Sequence, residues 1–496
     1  MSTQFIQTLL ALILCASACW GQTQPASPPK SNVREWTSRE GKTLTAEYLG
    51  VQGVNVVLKL PNGKVTPVPL AMFSAADNDF VRQNSFEYRT VWQAWPTEVQ
   101  VPMSFVDVKE APAEAGAFVY TTSHFRFKTN VNLGTTLMKD LAKVFEMTYF
   151  LHSRSPLGIL AKPADDLFEA RLYGTAKEYQ AAGGPAMTAG VYKTKEKVFM
   201  APLDLMGVQP GAAGWRKVSK ADYDPSAVVH ELTHMLTNDV LDNLPVWVSE
   251  GYAEYIRCIP IENAAFRVTK DKIKQGVVDR IVTDYEKSQR RDAKMKGAEL
   301  KDFLKGREVP QVYEIASVLQ MTDTEWVTGY PPGQNPHITS TMGMPDFRLP
   351  TLYRTAHLIL YYFIQIEGEK GVTKVRRFLD KNRNLLARYH QYLRDHKVFE
   401  EQVMEFMSRA GVSRLTDGRI QYPAGMVPPK EPTPPFTDPK MLKFGGLESL
   451  LNGESAAVVG KRIESALRED LGINLTFIAT PHPTPESLPP GRFPFR

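Results

Sequence analysis

The stretch His230-Glu231-Leu232-Thr233-His234, followed by Trp247-Val248-Ser249-Glu250-Gly251-Tyr252-Ala253-Glu254-Tyr255, decides how the rest of this chain is read. Two histidines four apart on a helix lie one turn above each other on one face, so both imidazoles can reach one metal ion. Glu231, beside the first of them, is placed to take a proton from a metal-activated water. A zinc ion that activates water wants three protein ligands and one open position. A third histidine six residues beyond His234 would complete a three-histidine set, but that position is Val240. Glu250 follows a turn that can fold it back toward the pair. The expected ligand set is therefore His230, His234 and Glu250, with Zn2+ as the cofactor.

Working outward, Asp224-Pro225 supplies an N-cap and a proline at the first helical position, which predicts a helix running to about Leu241. Pro245 forbids its simple continuation, so a second helix carries Glu250. Upstream the pattern is α/β. Val119–Asn130 reads as a strand, Leu133–Leu151 as an amphipathic helix and Phe168–Tyr173 as a strand. Thr175–Ala182 reads as a short capped helix and Thr188–Ala201 as a hairpin. Downstream the sequence is mostly helical to about residue 410, interrupted by a Pro/Gly-rich loop from Gly329 to Pro350. The apolar run Leu358–Ile366 is too short to span a membrane and contains Gln365, which predicts a buried helix.

Farther out, the composition bounds the class. At 496 residues the chain is too long for one ordinary core, and 43% hydrophobic with 23% charged residues is globular usage. A net charge of +5 over this length gives no argument for nucleic-acid binding. The basic residues of Lys270–Arg307, among them Lys287, Arg290, Arg291, Lys294 and Lys296, alternate with acids and read as the solvated face of a long helix. Phe5–Ala18 is apolar and ends in Ala16-Ser17-Ala18, which reads as a signal peptide over 1–18 and a secreted or periplasmic protein. Cys19 directly after it raises a second reading, a lipid anchor in the cell envelope. Of the later chain only Cys258 then remains, so no disulfide framework is expected.

Gln22–Asn32 is a Pro/Ser-rich spacer, and residues 33–83 form a small all-β module. Thr43–Leu49 alternates, Val54–Leu60 is β-branched, Pro61-Asn62-Gly63-Lys64 is a hairpin turn of type I′, and Ser74–Asp77 opens a short helix. Residues 84–118 read as an irregular linker, 119–410 as the domain holding the metal motif, and 423–496 as a Pro-rich tail with one helical piece near Ala456–Leu471.

Two resemblances follow from these residues. Arg34, Trp36, Thr37, Ser38, Gly41 and Lys42, then Gly63-Lys64, Leu70 and Asp77, resemble the first type of Sla homology domain, a Src-homology-3-like barrel. That implies a binding or spacing module with a protein or cell-envelope ligand. His230-Glu231-Leu-Thr-His234 with Pro245-Val-Trp247-Val-Ser-Glu250-Gly251-Tyr-Ala253-Glu254-Tyr255 is similar to the gluzincin metallopeptidases, closest to the bacterial peptidase-MA-like group. The likeness covers roughly residues 119–400. It implies an α+β fold: a zincin-like domain of small mixed sheet and mostly helical C-terminal subdomain, behind a small N-terminal all-β SH3-like barrel. Fifteen residues separate His234 from Glu250, fewer than in thermolysin.

The same resemblance implies roles. Glu231 is the general base of peptide hydrolysis, and Glu254, one turn beyond Glu250, orients a histidine ligand. Tyr353 resembles the tyrosine that related enzymes place facing the metal, with His357 a weaker candidate. Gly190–Tyr192 with Val198–Ala201 reads as the hairpin whose edge receives an extended peptide or protein substrate. His124, His152, His337, His390, His396 and His482 have no partner spacing and read as structural or exposed. Two alternatives use the same chain: an extracytoplasmic binding or scaffold protein with a non-catalytic metal site, and a zinc amidase acting on a cell-wall linkage.

Overall fold

The computed structural model describes residues 33–84 (without 53–54), 95–101, 106–218 (without 187, 189 and 213), 225–288, 309–327, 348–408 and most of 413–480. The expected leader, Cys19, the spacer and most of the 329–350 loop lie outside the described residues. So do Asp224, His337, His482 and the basic cluster from Arg290 onward. The chain divides into two compact units, Met1–Phe80 and Val81–Arg496.

In the first unit, β1 (Val33–Thr37), β2 (Thr43–Gln52), β3 (Asn55–Lys59) and β4 (Val65–Pro69) form an antiparallel meander in chain order. A 3-10 turn at Leu70–Met72 then brings Phe73 back to bridge Ser38, which curls the sheet closed. Trp36 is fully buried, donates its ring N–H to the Ala46 carbonyl at 3.1 Å, and packs against Tyr48, Phe73 and Phe80. It is a core anchor. Asp77, on helix α1 (Ala75–Asn84), accepts from the Arg34 guanidinium and the Thr37 backbone N–H at 2.7 Å each, which pins α1 to β1. The 60–64 turn is not the expected type I′. Only Gly63 takes a positive φ, +79°, because the Pro61 ring holds its own φ negative, and Gly63 donates to the Leu60 carbonyl instead.

The second unit contains α and β elements that begin before residue 119. Within the expected linker, β5 (Glu98–Gln100) pairs with Ala265–Arg267, and β6 (Lys109–Glu114) pairs with β7 (Ala117–Thr121). Alternation was too short there to be legible. The run Val119–Asn130 is not one strand: β7 and β8 (Phe125–Thr129) form a hairpin broken at 122–124. The break is fixed from a distance, because the buried Glu146 carboxylate accepts the His124 backbone N–H at 2.9 Å and meets its ring at 2.7 Å.

Helix α2 (Gly134–Ser153) leads to β9 (Phe168–Tyr173), which runs parallel to β8. The short α3 (Ala176–Ala181) has a Thr175/Glu178 capping box. Then β10 (Val191–Lys193) and β11 (Val198–Pro202) complete a mixed sheet in the order β10-β11-β9-β8-β7-β6. Phe125, Phe127 and Phe199 from the sheet close edge-on around Phe145 of α2 at centroid distances of 5.0–5.4 Å. The helix that carries Phe145 in turn packs against the motif helix.

The motif helix α4 (Ser226–Leu241) starts one residue later than expected, with Pro225 in the N-cap position. After the Leu241–Leu244 turn, Pro245 caps α5 (Val246–Arg257). Helix α6 (Lys270–Ser288) is not merely solvated: Ile273, Val277 and Ile281 are fully buried. Helix α7 (Arg348–Tyr361) begins earlier than expected and passes into a π-helical turn over Tyr362–Ile366, so Tyr353 sits in its second turn. Helix α8 (Glu369–Met407) follows. The region 423–496 is more than a tail. Helix α9 (Ala456–Leu471) buries Val459, Ile463, Leu467 and Leu471, and Leu475–Ile478 pairs in parallel with Val309–Tyr313. Prolines concentrate at 423–439 and again from Pro481 onward, and the apolar spacing between them belongs to the core. Among the described residues no helix is long and apolar enough to cross a membrane.

Candidate metal centre

The four-residue spacing on α4 turns His230 and His234 to one side, and the Pro245 turn reverses the chain so that α5 returns Glu250 opposite them. Nε2 of His230 lies 3.1 Å from Nε2 of His234, and each lies 3.4 Å from Oε2 of Glu250. Three donors at about 2.0–2.1 Å from a tetrahedral zinc stand about 3.3 Å apart, so this triangle has the size of one face of such a site. Oε2 of Glu250 is buried with no hydrogen-bond donor of its own. A cation at the centre of the triangle would answer that orphaned oxygen. Among the described residues this is the one grouping of histidine, cysteine and carboxylate ligand atoms close enough to hold a metal ion.

Charge agrees with shape. Burial pushes the His230 imidazole down, but the Glu250 and Glu254 carboxylates outweigh it and hold its proton up to about 10. Burial also pushes the Glu250 carboxyl up, yet the facing imidazoles keep it well below the usual carboxylate range. Two carboxylates thus favour positive charge on the imidazole between them.

Glu254 lies on the other side of the His230 ring. Its Oε1 is 2.9 Å from Nδ1 of His230. Burial pushes the Glu254 carboxyl up, but Arg257 first, then His230 and Arg280, keep it well below the usual range. Glu231, adjacent to His230, accepts the backbone N–H of Tyr192 on edge strand β10 at 3.2 Å. Tyr353 stands edge-on to the His230 ring at a centroid distance of 6.3 Å, with Trp326 on its other side at 5.8 Å. His357 is buried below it, pushed down to about 4 by desolvation.

Each candidate from the sequence is thus accounted for. His230, His234 and Glu250 come together, Glu254 backs His230, and Glu231 and Tyr353 flank the cluster. His124 has a partner that local spacing could not reveal, Glu146, and His152 is fully buried against Thr233. Sequence reasoning missed Arg257 and Arg280. Arg257 was legible as an i,i+3 partner of Glu254, whereas Arg280 is brought in only by the packing of α6.

A family model matches the N-terminal β-module, where Trp36 and the Arg34–Asp77 pair make the core and its pin. Residues 24–87 match SLA1 homology domain 1. This SHD1 carries none of the candidate metal ligands. Among curated proteins, none matches the chain.

Proposed function

We propose that the chain is an exported zinc-dependent metallopeptidase of the gluzincin type, with a zincin-like second unit and SHD1 as an appended binding module. The observation that carries this reading is the His230–His234–Glu250 triangle with Glu231 beside it. A purely structural zinc site has no need of a general base. Zinc bound there would supply a Lewis acid that brings the pKa of water down to about 7.

The remaining work falls to the chain. Glu231 takes the proton of the attacking water and delivers it to the leaving amine. Glu254 Oε1, 2.9 Å from Nδ1 of His230, would favour the proton on that nitrogen, which leaves Nε2 free to ligate. The Tyr353 hydroxyl donates to the oxyanion as negative charge develops on the carbonyl. Strand β10 ends its sheet, and its Tyr192 N–H points away from β11 to Glu231. An extended peptide adds there as a further strand. The apolar Phe5–Ala18 segment supports export, and Cys19 supports an alternative lipid-anchored form.

The test is zinc content by elemental analysis together with cleavage of a mixed peptide library. Wild type is expected to hold one zinc per chain and to cleave, and Glu231→Gln to keep the zinc and lose cleavage. Stoichiometric zinc without cleavage of any peptide would sink the peptidase reading and leave a non-catalytic metal site.

A further inference from the structure

Glu254 does more than face His230. It is 5% exposed, and its carboxylate is gripped from two further directions. Arg257, on the same helix, donates from Nη1 to Oε1 at 3.0 Å and from Nε to the Ser226 hydroxyl at 3.2 Å. Ser226 is the first residue of α4, so one guanidinium ties the end of α5 to the start of the motif helix. Arg280 reaches in from α6, with Nη2 3.6 Å from Oε2. From α7, His357 lies near enough to feel both Glu254 and Arg280, and Arg354 flanks it.

The geometry points to Arg257 and Arg280 as positioning residues that act on the metal through Glu254. This rests on the zinc site proposed above. A buried carboxylate with a single partner can rotate about its last bond. With one oxygen shared by His230 and Arg257 and the other facing Arg280, the carboxylate plane is fixed, and so is the His230 ring it supports. Outer partners of ligating histidines typically contribute 10–100-fold to metal affinity.

A competing effect has the opposite sign. Two guanidiniums near a dication repel it, so charge alone predicts that removing either arginine tightens zinc binding. The two effects separate in a double-mutant cycle.

The experiment measures the zinc dissociation constant of the full chain by chelator competition at fixed pH, for Arg257→Gln, Arg280→Gln and Arg280→Lys, each with Glu254 intact and as Glu254→Gln. With Glu254 intact, each glutamine variant is expected to weaken zinc about tenfold, while Arg280→Lys stays within about threefold of wild type. In the Glu254→Gln background neither arginine substitution is expected to weaken zinc further. Arg280 sits on α6 and reaches Glu254 from there, so its two variants decide the matter if Arg257→Gln does not fold. Unchanged or tighter zinc in Arg280→Gln with Glu254 present overturns the inference, as does equal weakening in both backgrounds. A wild-type chain that holds no zinc overturns the metal site itself, which is a different failure.

Discussion

A buried carboxylate oxygen that faces two imidazole nitrogens at 3.4 Å and has no hydrogen-bond donor of its own is an expensive arrangement. The same arrangement is what a third ligand requires. Glu250→Ala is therefore expected to weaken zinc by more than about 100-fold, beyond the 10–100-fold that outer partners contribute. Retention of full affinity in a chelator competition would remove Glu250 from the ligand set. At this scale the sequence was most legible where chemistry is local. The His-x-x-x-His spacing, the missing histidine at Val240 and the turn at Pro245 are all read within thirty residues of one another. Glu254 was also legible, one helical turn past Glu250. Arg280 was not, because nothing in the spacing of α6 shows which of its basic residues faces inward.

Helices α5 and α7 approach so closely that their contact depends on a missing side chain. A Cβ built on Gly251 would lie 2.6 Å from the Ala356 carbonyl oxygen and 2.8 Å from its carbon. Both are backbone atoms and cannot swing aside. Gly251→Ala is expected to destabilise the second unit by about 1–3 kcal/mol, as overpacking does, and to loosen zinc by displacing the adjacent Glu250. Thermal melting with and without zinc checks this, and a variant matching wild type in both would show that the helices can part freely. The sequence offered Glu250-Gly251 only as a motif; the reason for the glycine lies on a helix 105 residues away. Elements with their own local signals were placed well. Phe168–Tyr173 was read to the residue, α3 is set by its capping box, and α9 ends at Gly472, whose φ of +67° terminates it. The 122–124 break was missed because Glu146 imposes it from α2.

Over the whole molecule, the largest revision concerns the C-terminal region. Glu464 of α9 is buried and accepts the Ile315 backbone N–H at 3.2 Å, and Tyr361 of α7 donates to Asp470 at 2.6 Å. Val459, Ile463, Leu467, Leu471 and Leu475 are buried in the same core as α4 and α5. At about 1.5–3 kcal/mol for each large aliphatic side chain, their burial contributes about 10 kcal/mol, comparable to the whole net stability of a domain. A chain ending at residue 440 is therefore expected to lose cooperative unfolding of the second unit and its zinc binding together. A sharp melting transition with zinc still bound would show that the region is dispensable. Proline content obscured this, since Pro-rich stretches flank the part that packs on both sides.

The pairing of Leu475–Ile478 with Val309–Tyr313 also sets a timetable. The Tyr313 backbone N–H binds the Thr355 hydroxyl of α7, two residues from Tyr353, so the helix that faces the histidine pair leans on a strand completed near residue 478. A ribosome makes the histidine pair and Glu250 long before it makes that strand. Until Leu475–Ile478 emerges, His230, His234 and Glu250 exist but the helix that faces them lacks the strand it leans on.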